Sequence, residues 1–320
     1  MNEELLPLNK SLNIFYGNVE EVFRKLLLDY DVEAVYVNTD YEPNAISRDK
    51  HVRKTLQEQG VSFYEFHDQI IMSPGSVLKS DGTPYTIFTP FSKAWKQKIN
   101  FDAFKIYESE ALKSNFVESQ IVSLFSLKDI GYQYDASIYH DFILDDEILL
   151  NYEYTRDFPI ITHGTSKVNP HLRFGTISIR NLAKKAKELN EKYLNELIWR
   201  EFFMHIMWHF PQVVNHSFKK KYDAIEWENN EHFFELWIEG KTGYPLVDAG
   251  MRELNATGFM HGRVRMVVSS FLCKNLLIDW RWGEAYFAQK LLDYELSSNN
   301  GNWQWAAGSG CDAVPYFRLF

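Results

Sequence analysis

Short apolar runs alternate with amphipathic helical patterns over the first hundred residues. Three runs have the length and the β-branched or aromatic content of strands: residues 13–16, 34–38 and 61–66. Between them, Asn18 precedes one helical pattern as an N-cap, and residues 47–59 form a second that ends at Gly60. This order of strand, helix, strand, helix and strand predicts parallel βαβ units.

Helical spacing of apolar residues dominates the chain from residue 176 onward. The predicted helices cover residues 178–189, 193–209, 231–239, 244–257 and 264–279. A turn-rich stretch and a polar connector separate them from the first part. We therefore predict three regions: an incomplete, Rossmann-like α/β layer over 1–100, an interdomain linker over 101–150, and a larger all-α domain over 151–320.

The composition is that of a globular protein with a large core. Of the 320 residues, 45% are apolar and 16% are aromatic. The length suits about two domains. Two cysteines exclude a disulfide framework, the acidic N-terminal residues do not resemble a secretory signal, and the apolar runs are too short to span a bilayer. We expect a reduced, cytoplasmic protein.

The net charge of −9 is unevenly distributed along the chain. Residues 1–150 contain 14 basic against 24 acidic side chains, whereas residues 151–250 contain 13 of each. Nucleic-acid binding needs local positive potential, which the overall charge disfavours. The nearly neutral second half leaves room for a basic face.

Tryptophan is concentrated in the second half, where eight of the nine residues lie between positions 199 and 305. For any single ring, core packing is the alternative explanation. Trp303 and Trp305 lie in a Gly- and Asn-rich segment that we predict to be a loop. Rings on such a loop suit stacking against a flavin, a nicotinamide or an unstacked base, and a buried row of indoles suits electron transfer.

Two further segments carry candidate polar chemistry. Residues 164–169 precede a helix, and their backbone N–H groups and hydroxyls could cradle a phosphate, with a simple capped turn as the alternative. Arg263 and Arg265 are two apart on a helix and should have different partners. Arg263 could face a phosphate and Arg265 could pair with a buried carboxylate, Asp293 or Glu295, with two solvated charges as the alternative.

Glu196, Trp199 and Arg200 share one face of an apolar helix, where a carboxylate is either paired or functional. His205 and His209 lack the HExxH arrangement and a third ligand, so we predict no metal site and interpret them as structural. A hydrolase nucleophile elbow, a P-loop and a GxGxxG run are all missing from the sequence.

Five long segments together resemble the DNA photolyase/cryptochrome family, most closely a class I cyclobutane pyrimidine dimer photolyase. They are residues 88–95, 239–252, 258–266, 277–281 and 299–307, and the resemblance runs from about residue 13 to the last residue. It implies an α/β antenna domain followed by a helical domain that holds FAD.

The resemblance also assigns roles to individual residues. It implies FAD binding by Tyr152, Thr165, Ser166, Lys167, Val168, Asn169, Tyr193, Glu196, Arg200, Arg265, Asp293, Glu295 and Asn299. It implies electron transfer along Trp303, Trp280 and Trp227, with Asn299 facing the flavin as a further catalytic residue. It implies dimer or DNA contacts by Glu196, Trp199, Arg263, Met266 and Trp305.

The activity that the resemblance implies is light-dependent repair of cyclobutane pyrimidine dimers in DNA by a monomer. Electron transfer from excited, reduced FAD to a flipped-out dimer splits the cyclobutane ring, so this lyase needs no protein nucleophile. A cryptochrome-type photoreceptor and an inactive remnant are the alternatives. Trp199, Met266 and Trp305 favour repair, because a sensor has no need of a dimer clamp.

Several positions depart from the family pattern. Gly262 replaces an Asn near the substrate, Glu295 an Asp, and Lys167 an Arg, while Met266 favours the cyclobutane class over the (6-4) class. Ala45 replaces a Glu that holds a folate in some relatives, so a second antenna chromophore of folate or deazaflavin type is doubtful. The family also extends beyond both ends of this chain, which predicts weak FAD binding by the 320 residues alone.

Overall fold

The computed structural model describes residues 2–104, 109–117, 127–133 and 144–313. Much of the predicted linker 101–150 and the C-terminal residues 314–320 lie outside these ranges. The strands are β1 (Ala34–Asn38) and β2 (Ser62–Phe66). The α-helices are α1 (Asn2–Leu5), α2 (Val19–Asp29), α3 (Pro43–Glu58), α4 (Phe88–Lys98), α5 (Asp146–Thr155), α6 (Asn169–Phe174), α7 (Ile179–Leu189), α8 (Glu191–His209), α9 (Glu231–Ile238), α10 (Pro245–Thr257), α11 (Gly262–Lys274), α12 (Trp280–Lys290) and α13 (Leu296–Ala307).

The chain divides into two compact units. The first comprises the described residues of Met1–Val37, Asn44–Phe66 and Asn100–Ala136, and the second those of Asn38–Pro43, His67–Ile99 and Ser137–Phe320. The first unit holds the sheet and the second is helical, so the predicted α/β layer followed by an all-α domain is confirmed as a fold class.

A small β-α-β arrangement forms the first unit. The backbone N–H of Ser62 donates to the carbonyl of Glu33 at 3.2 Å, and the ring of Tyr36 stacks on Tyr64 at 5.0 Å. The later contact along β1, at Tyr36, is also the later contact along β2, at Tyr64, so the two strands run in the same direction. Apolar side chains from α2, α3 and both strands form the hydrophobic core of this unit. The core includes Val52, Leu56, Val61, Phe23, Leu27, Val35 and Phe63.

The predicted strand at residues 13–16 is wrong. These residues have no regular secondary structure, and Ile14, Phe15 and Tyr16 are 47%, 41% and 68% exposed. A strand needs a neighbour that satisfies its backbone hydrogen bonds, and apolar composition alone does not supply one. Asn18 does cap α2, with its side chain accepting from the backbone N–H of Glu20 at 3.0 Å.

The helical unit is built around α8 and the bundle of α10 to α13. Eleven of the nineteen residues of α8 are buried, and the core of the bundle includes Trp237, Met251, Leu254, Val268, Leu272, Trp280 and Trp303. The predicted helices are confirmed with small shifts at their ends, except that the one predicted over 264–279 ends at Lys274. The chain then turns through Leu277 at a φ of 51°, and Asp279 caps α12 by accepting from the N–H of Arg281.

Among the residues that the structure describes, no helix is both long and apolar enough to cross a lipid bilayer.

Glycine allows α12 and α13 to approach closely. A Cβ at Gly283 would lie 2.2 Å from Cη2 of Trp303 and 2.6 Å from Cδ2 of Leu272. The ring of Trp303 therefore rests directly on the backbone of α12, where no larger side chain fits.

Replacing this glycine with alanine tests the close approach. We expect Gly283→Ala to lower the free energy of unfolding by about 1–3 kcal/mol, because the added methyl group overpacks the bundle. Gly262→Ala is the matched control, since a Cβ there meets no atom within 4 Å. Urea unfolding measures both variants, and equal stability of the two would contradict the packing argument.

Candidate functional site

The carboxylate of Asp293 joins three segments that are far apart in sequence. Nη2 of Arg265, in α11, donates to Oδ2 of Asp293 at 2.9 Å, and Nδ2 of Asn169, at the start of α6, donates to the same oxygen at 3.1 Å. The Asp293 side chain is 4% exposed, so this is a largely buried ion pair. The predicted pairing of Arg265 with a buried carboxylate is confirmed, with Asp293 as its partner.

Glu295, the second predicted acidic residue, lies in a buried polar network. The hydroxyls of Ser297 and Ser298 donate to its carboxylate at 2.6 and 2.9 Å, and Nε of Arg200 lies 3.5 Å from Oε2. Arg200 Nη2 is buried and has no hydrogen-bond partner among the described residues. A buried guanidinium N–H without an acceptor is costly, so this donor fits a further polar group at the site.

Residues 164–169 form a turn backed by two tyrosines. The hydroxyls of Ser166 and Tyr193 lie 2.8 Å apart, and the rings of Tyr193 and Tyr152 meet edge to face at 5.0 Å. Burial raises the pKa of Tyr193 to about 12, which keeps its hydroxyl neutral. Val168 is buried and Thr165 is half-buried. The turn is therefore held from behind by packing and hydrogen bonds.

Lys167 occupies the sharpest position of this turn. Its φ is 52°, in the left-handed region that non-glycine residues seldom adopt, and its Nζ lies 5.0 Å from the ring centroid of Phe259. The guanidinium carbon of Arg265 lies 5.9 Å from the centroid of the same ring. Two cations thus lie beside the turn that the sequence predicts to cradle a phosphate.

A chain of four charges connects α5, α8 and α11. Glu196 pairs with Nη1 of Arg156, whose Nε donates to Asp157 at 3.3 Å, and Asp157 in turn accepts from Arg263 at 2.6 Å. Sequence reasoning identified Glu196 and Arg263 but missed Arg156 and Asp157. Neither has a periodic pattern around it, and only the fold brings the end of α5 to the start of α11. Arg263 also donates from Nη1 to the sulfur of Met266 at 3.4 Å.

The two predicted dimer-clamping rings lie close to the contact between α8 and α13. A Cβ at Gly301 would lie 2.2 Å from the ring of Phe203, and Trp199 and Trp305 each lie one turn from this contact in their own helices. Trp199 stacks face to face on Phe88, with ring centroids 3.6 Å apart and planes inclined by 5°. One face of this indole is therefore already covered by an aromatic ring.

The segment that carries Trp303 and Trp305 is not the predicted loop. Residues 296–307 form α13, and Gly301 serves as a packing contact rather than a turn. Trp303 is 2% exposed, whereas Trp305 is half-buried. The two rings, which are two residues apart, therefore project to different faces of one helix.

The three tryptophans of the predicted relay lie in, or pack against, the core cluster of the bundle. Trp303 rests on Gly283, which lies one helical turn after Trp280 in α12. Trp280 is 2% exposed, and Trp227 is a half-buried residue packed against the same cluster. The backbone N–H of Glu228 donates to the carbonyl of Leu277 at 3.0 Å, which fixes the segment of Trp227 beside the start of α12.

Asn299 makes its contacts within the helical bundle. Its Nδ2 donates to the backbone carbonyl and to Oε1 of Glu284, at 3.1 and 2.9 Å. Burial raises the pKa of Glu284, although the hydrogen bond from Asn299 opposes this shift. Sequence reasoning missed Glu284, whose position in α12 gives no sign of a buried polar partner.

Glu201 is a buried carboxylate that sequence reasoning also missed. It accepts from the backbone N–H of Ile71 at 2.6 Å and from Nε1 of Trp95 at 2.7 Å. One turn later, the rings of His205 and His209 lie 4.5 Å apart, and burial lowers the pKa of His205 to about 4. Across the described residues, no cluster of three potential metal ligands occurs.

The buried position of Glu201 predicts a pH-dependent stability. Burial raises its pKa from the ordinary 4.5 to about 7, despite the hydrogen bonds that oppose this shift. Between these values the folded protein retains a proton that the unfolded chain releases. The contribution is complete below pH 4.5 and is lost as the pH rises through 7, by about 3 kcal/mol in total.

Urea unfolding at a series of pH values measures this contribution. We expect Glu201→Gln to flatten the decline in unfolding free energy between pH 4.5 and 7, because the amide does not titrate. Glu188→Gln, at an exposed position in α7, is the control and should follow the wild-type curve. A variant at position 201 with an unchanged pH profile would contradict the raised pKa.

Comparison with known proteins finds matches along both units. The family described as "DNA photolyase" matches residues 1–111, and the one described as "FAD binding domain of DNA photolyase" matches residues 193–320. A deoxyribodipyrimidine photo-lyase of Alkalihalophilus pseudofirmus is 38% identical in an alignment 327 residues long. The alignment covers 97% of this chain and 68% of that protein.

Solved structures give the same result for the fold. A bacterial class III photolyase from Agrobacterium tumefaciens matches with a TM-score of 0.88 and 32% identity, over 100% of this chain and 70% of that one. An archaeal photolyase from Sulfolobus tokodaii, solved with two FAD molecules, matches with a TM-score of 0.75 and 36% identity, over 100% and 71%. The similarity therefore extends through both units of the chain.

Proposed function

We propose that this chain, which belongs to the DNA photolyase family, repairs cyclobutane pyrimidine dimers in DNA under blue light and uses FAD as its cofactor. The observation that carries this proposal is the buried junction at Asp293, where Arg265 and Asn169 meet. It brings together three of the segments that the sequence assigns to FAD.

The donor set at this junction fits a large anionic cofactor. Arg200 presents a buried N–H that has no acceptor among the described residues, and Lys167 and Arg265 place two cations beside the turn at 164–169. These groups, with Ser166 and Tyr193, would hold the phosphates and polar edges of FAD. Bound FAD supplies the light-absorbing electron donor that the reaction requires.

The proposed task of the surrounding side chains is positioning and exclusion of water. Trp199 and Trp305 would hold the two pyrimidine rings by stacking, since aromatic faces are tolerant of the base that they contact. Phe88 already orients Trp199, so this ring loses little conformational freedom when the dimer binds. Glu196 and Met266 would line the same pocket, and Arg263 would lie on its DNA-facing rim.

The tryptophans at 303, 280 and 227 are proposed to supply electrons from the surface to the cofactor. Trp303 and Trp280 are both 2% exposed, whereas Trp227 is half-buried, so Trp227 would be the end of the path that an external reductant reaches. Asn299 is proposed to face the cofactor from α13, with its amide held by Glu284. A second antenna chromophore stays doubtful at Ala45, which has no group to hold it.

We further infer a monomeric, cytoplasmic protein. Every residue named in the proposed site comes from one chain, so the proposal calls on no residue of a second copy. Cys273 and Cys311 are free, buried thiols, consistent with a reducing compartment that also contains DNA.

A repair assay tests the proposed function. We expect the FAD-loaded chain, chemically reduced, to remove cyclobutane dimers from an irradiated oligonucleotide under blue light and to leave them unchanged in the dark. Loss of dimers in both conditions, or in neither, would overturn the proposal. A cryptochrome-type sensor would bind FAD and absorb light but leave the dimers intact.

Substitutions at Trp280 test the relay separately. We expect Trp280→Phe to slow the light-driven reduction of bound, oxidised FAD by a factor of about ten or more, because phenylalanine is much harder to oxidise and the path is interrupted. Trp282→Phe, two residues away in the same helix, is the control and should reduce at the wild-type rate. Absorbance spectra under illumination with an external thiol measure both, and equal rates would contradict the proposed path.

A further inference from the structure

Arg263 does not present a free guanidinium to solvent. Its Nε and Nη2 both lie 2.6 Å from Oδ1 of Asp157, and its Nη1 donates to the sulfur of Met266 at 3.4 Å. Asp157 follows the end of α5, and Arg263 lies in the first turn of α11. The carboxylate therefore occupies the position from which a phosphate oxygen would engage this arginine.

The immediate surroundings of this pair add no net charge. Arg156 lies beside Asp157 and pairs with Glu196, so the four groups comprise two arginines and two carboxylates. His261, which caps α11, has its pKa lowered by burial and by the arginines, and it is neutral. A surface with two arginines thus has little of the positive potential that attracts nucleic acid.

The two ion pairs differ in how readily a phosphate can replace the carboxylate of the pair. The side chains of Asp157 and Arg263 are 54% and 38% exposed, whereas Arg156 is 14% exposed. Exposed ion pairs are weak and are screened by salt, so an incoming phosphate can displace Asp157 from Arg263. The more enclosed pair of Arg156 and Glu196 would stay in place.

We propose that Asp157 is a built-in competitor that occupies Arg263 in the free protein and must yield it to a DNA phosphate on binding. This inference rests on the proposed function, because it assumes that the surface around Asp157 and Arg263 contacts DNA. A phosphate contact carries no information about the base, so Asp157 sets overall affinity and not the preference for damage. It limits how tightly the protein is held on undamaged DNA.

The central measurement is binding of the FAD-loaded full chain to matched duplexes with and without one dimer. We expect Asp157→Asn to tighten binding to both duplexes by the same factor, about threefold to tenfold at low salt, and we expect the gain to fade as salt is raised. Glu20→Gln is the matched control, because it also removes a carboxylate paired with an arginine, in α2. It changes the net charge equally and should change affinity much less.

Two further variants separate competition from a loss of folding. Asp157→Glu retains the carboxylate and should bind DNA like the wild type. In an Arg263→Gln background, Asp157→Asn should give no further gain, because the cation for which the two anions compete is gone. Thermal unfolding checks that all variants are folded.

The outcomes distinguish this inference from the proposed function. If the wild type prefers dimer-containing DNA and Asp157→Asn binds no more tightly than Glu20→Gln, the competition is refuted while repair stands. If the gain persists in the Arg263→Gln background, the competition is likewise refuted. If the wild type has no preference for the dimer but Asp157→Asn still gains affinity through Arg263, the competition holds and the repair function fails.

Discussion

The buried carboxylate of Asp293 is the interaction on which the proposed site depends. It accepts from Arg265 of α11 and from Asn169 of α6, while its own segment leads directly into α13. Removal of one partner from a buried pair leaves the other charge desolvated and uncompensated. The three segments that carry residues proposed to bind the cofactor therefore depend on one another at this carboxylate.

Close helix packing provides the second constraint on the site. Gly283 and Gly301 place the rings of Trp303 and Phe203 against helix backbone, and so draw α12, α13 and α8 together. Interiors packed to this density have no room for a methyl group at these positions. The same packing that stabilises the bundle also orders the indoles, so the proposed electron path needs no additional structural element.

Electrostatics around the site are arranged mainly as pairs. Arg263 with Asp157, Arg156 with Glu196 and Arg265 with Asp293 each neutralise a cation that would otherwise face solvent or the cofactor. A phosphate of a binding partner must therefore replace a carboxylate that is already paired with the arginine, because no unpaired cation is waiting for it there.

The sequence by itself determined the family and the helices α7 to α11, and it predicted the residues of the site. Periodic apolar spacing and capping residues are local signals, so the pattern over α7 to α10 could be read without coordinates. The pairing of Arg265 with a buried carboxylate was also predicted, whereas the choice of Asp293 over Glu295 was made by the structure.

Only the tertiary structure decided which of the polar residues meet. Residues 13–16 have the composition of a strand, but no strand lies beside them in the part of the chain that the structure describes. The Asn- and Gly-rich segment around Trp303 is a helix in which Gly301 packs against Phe203. Asp157, Glu201 and Glu284 acquire their roles from partners 15 to 130 residues away. Such contacts depend on how helices cross, and no local pattern encodes a crossing.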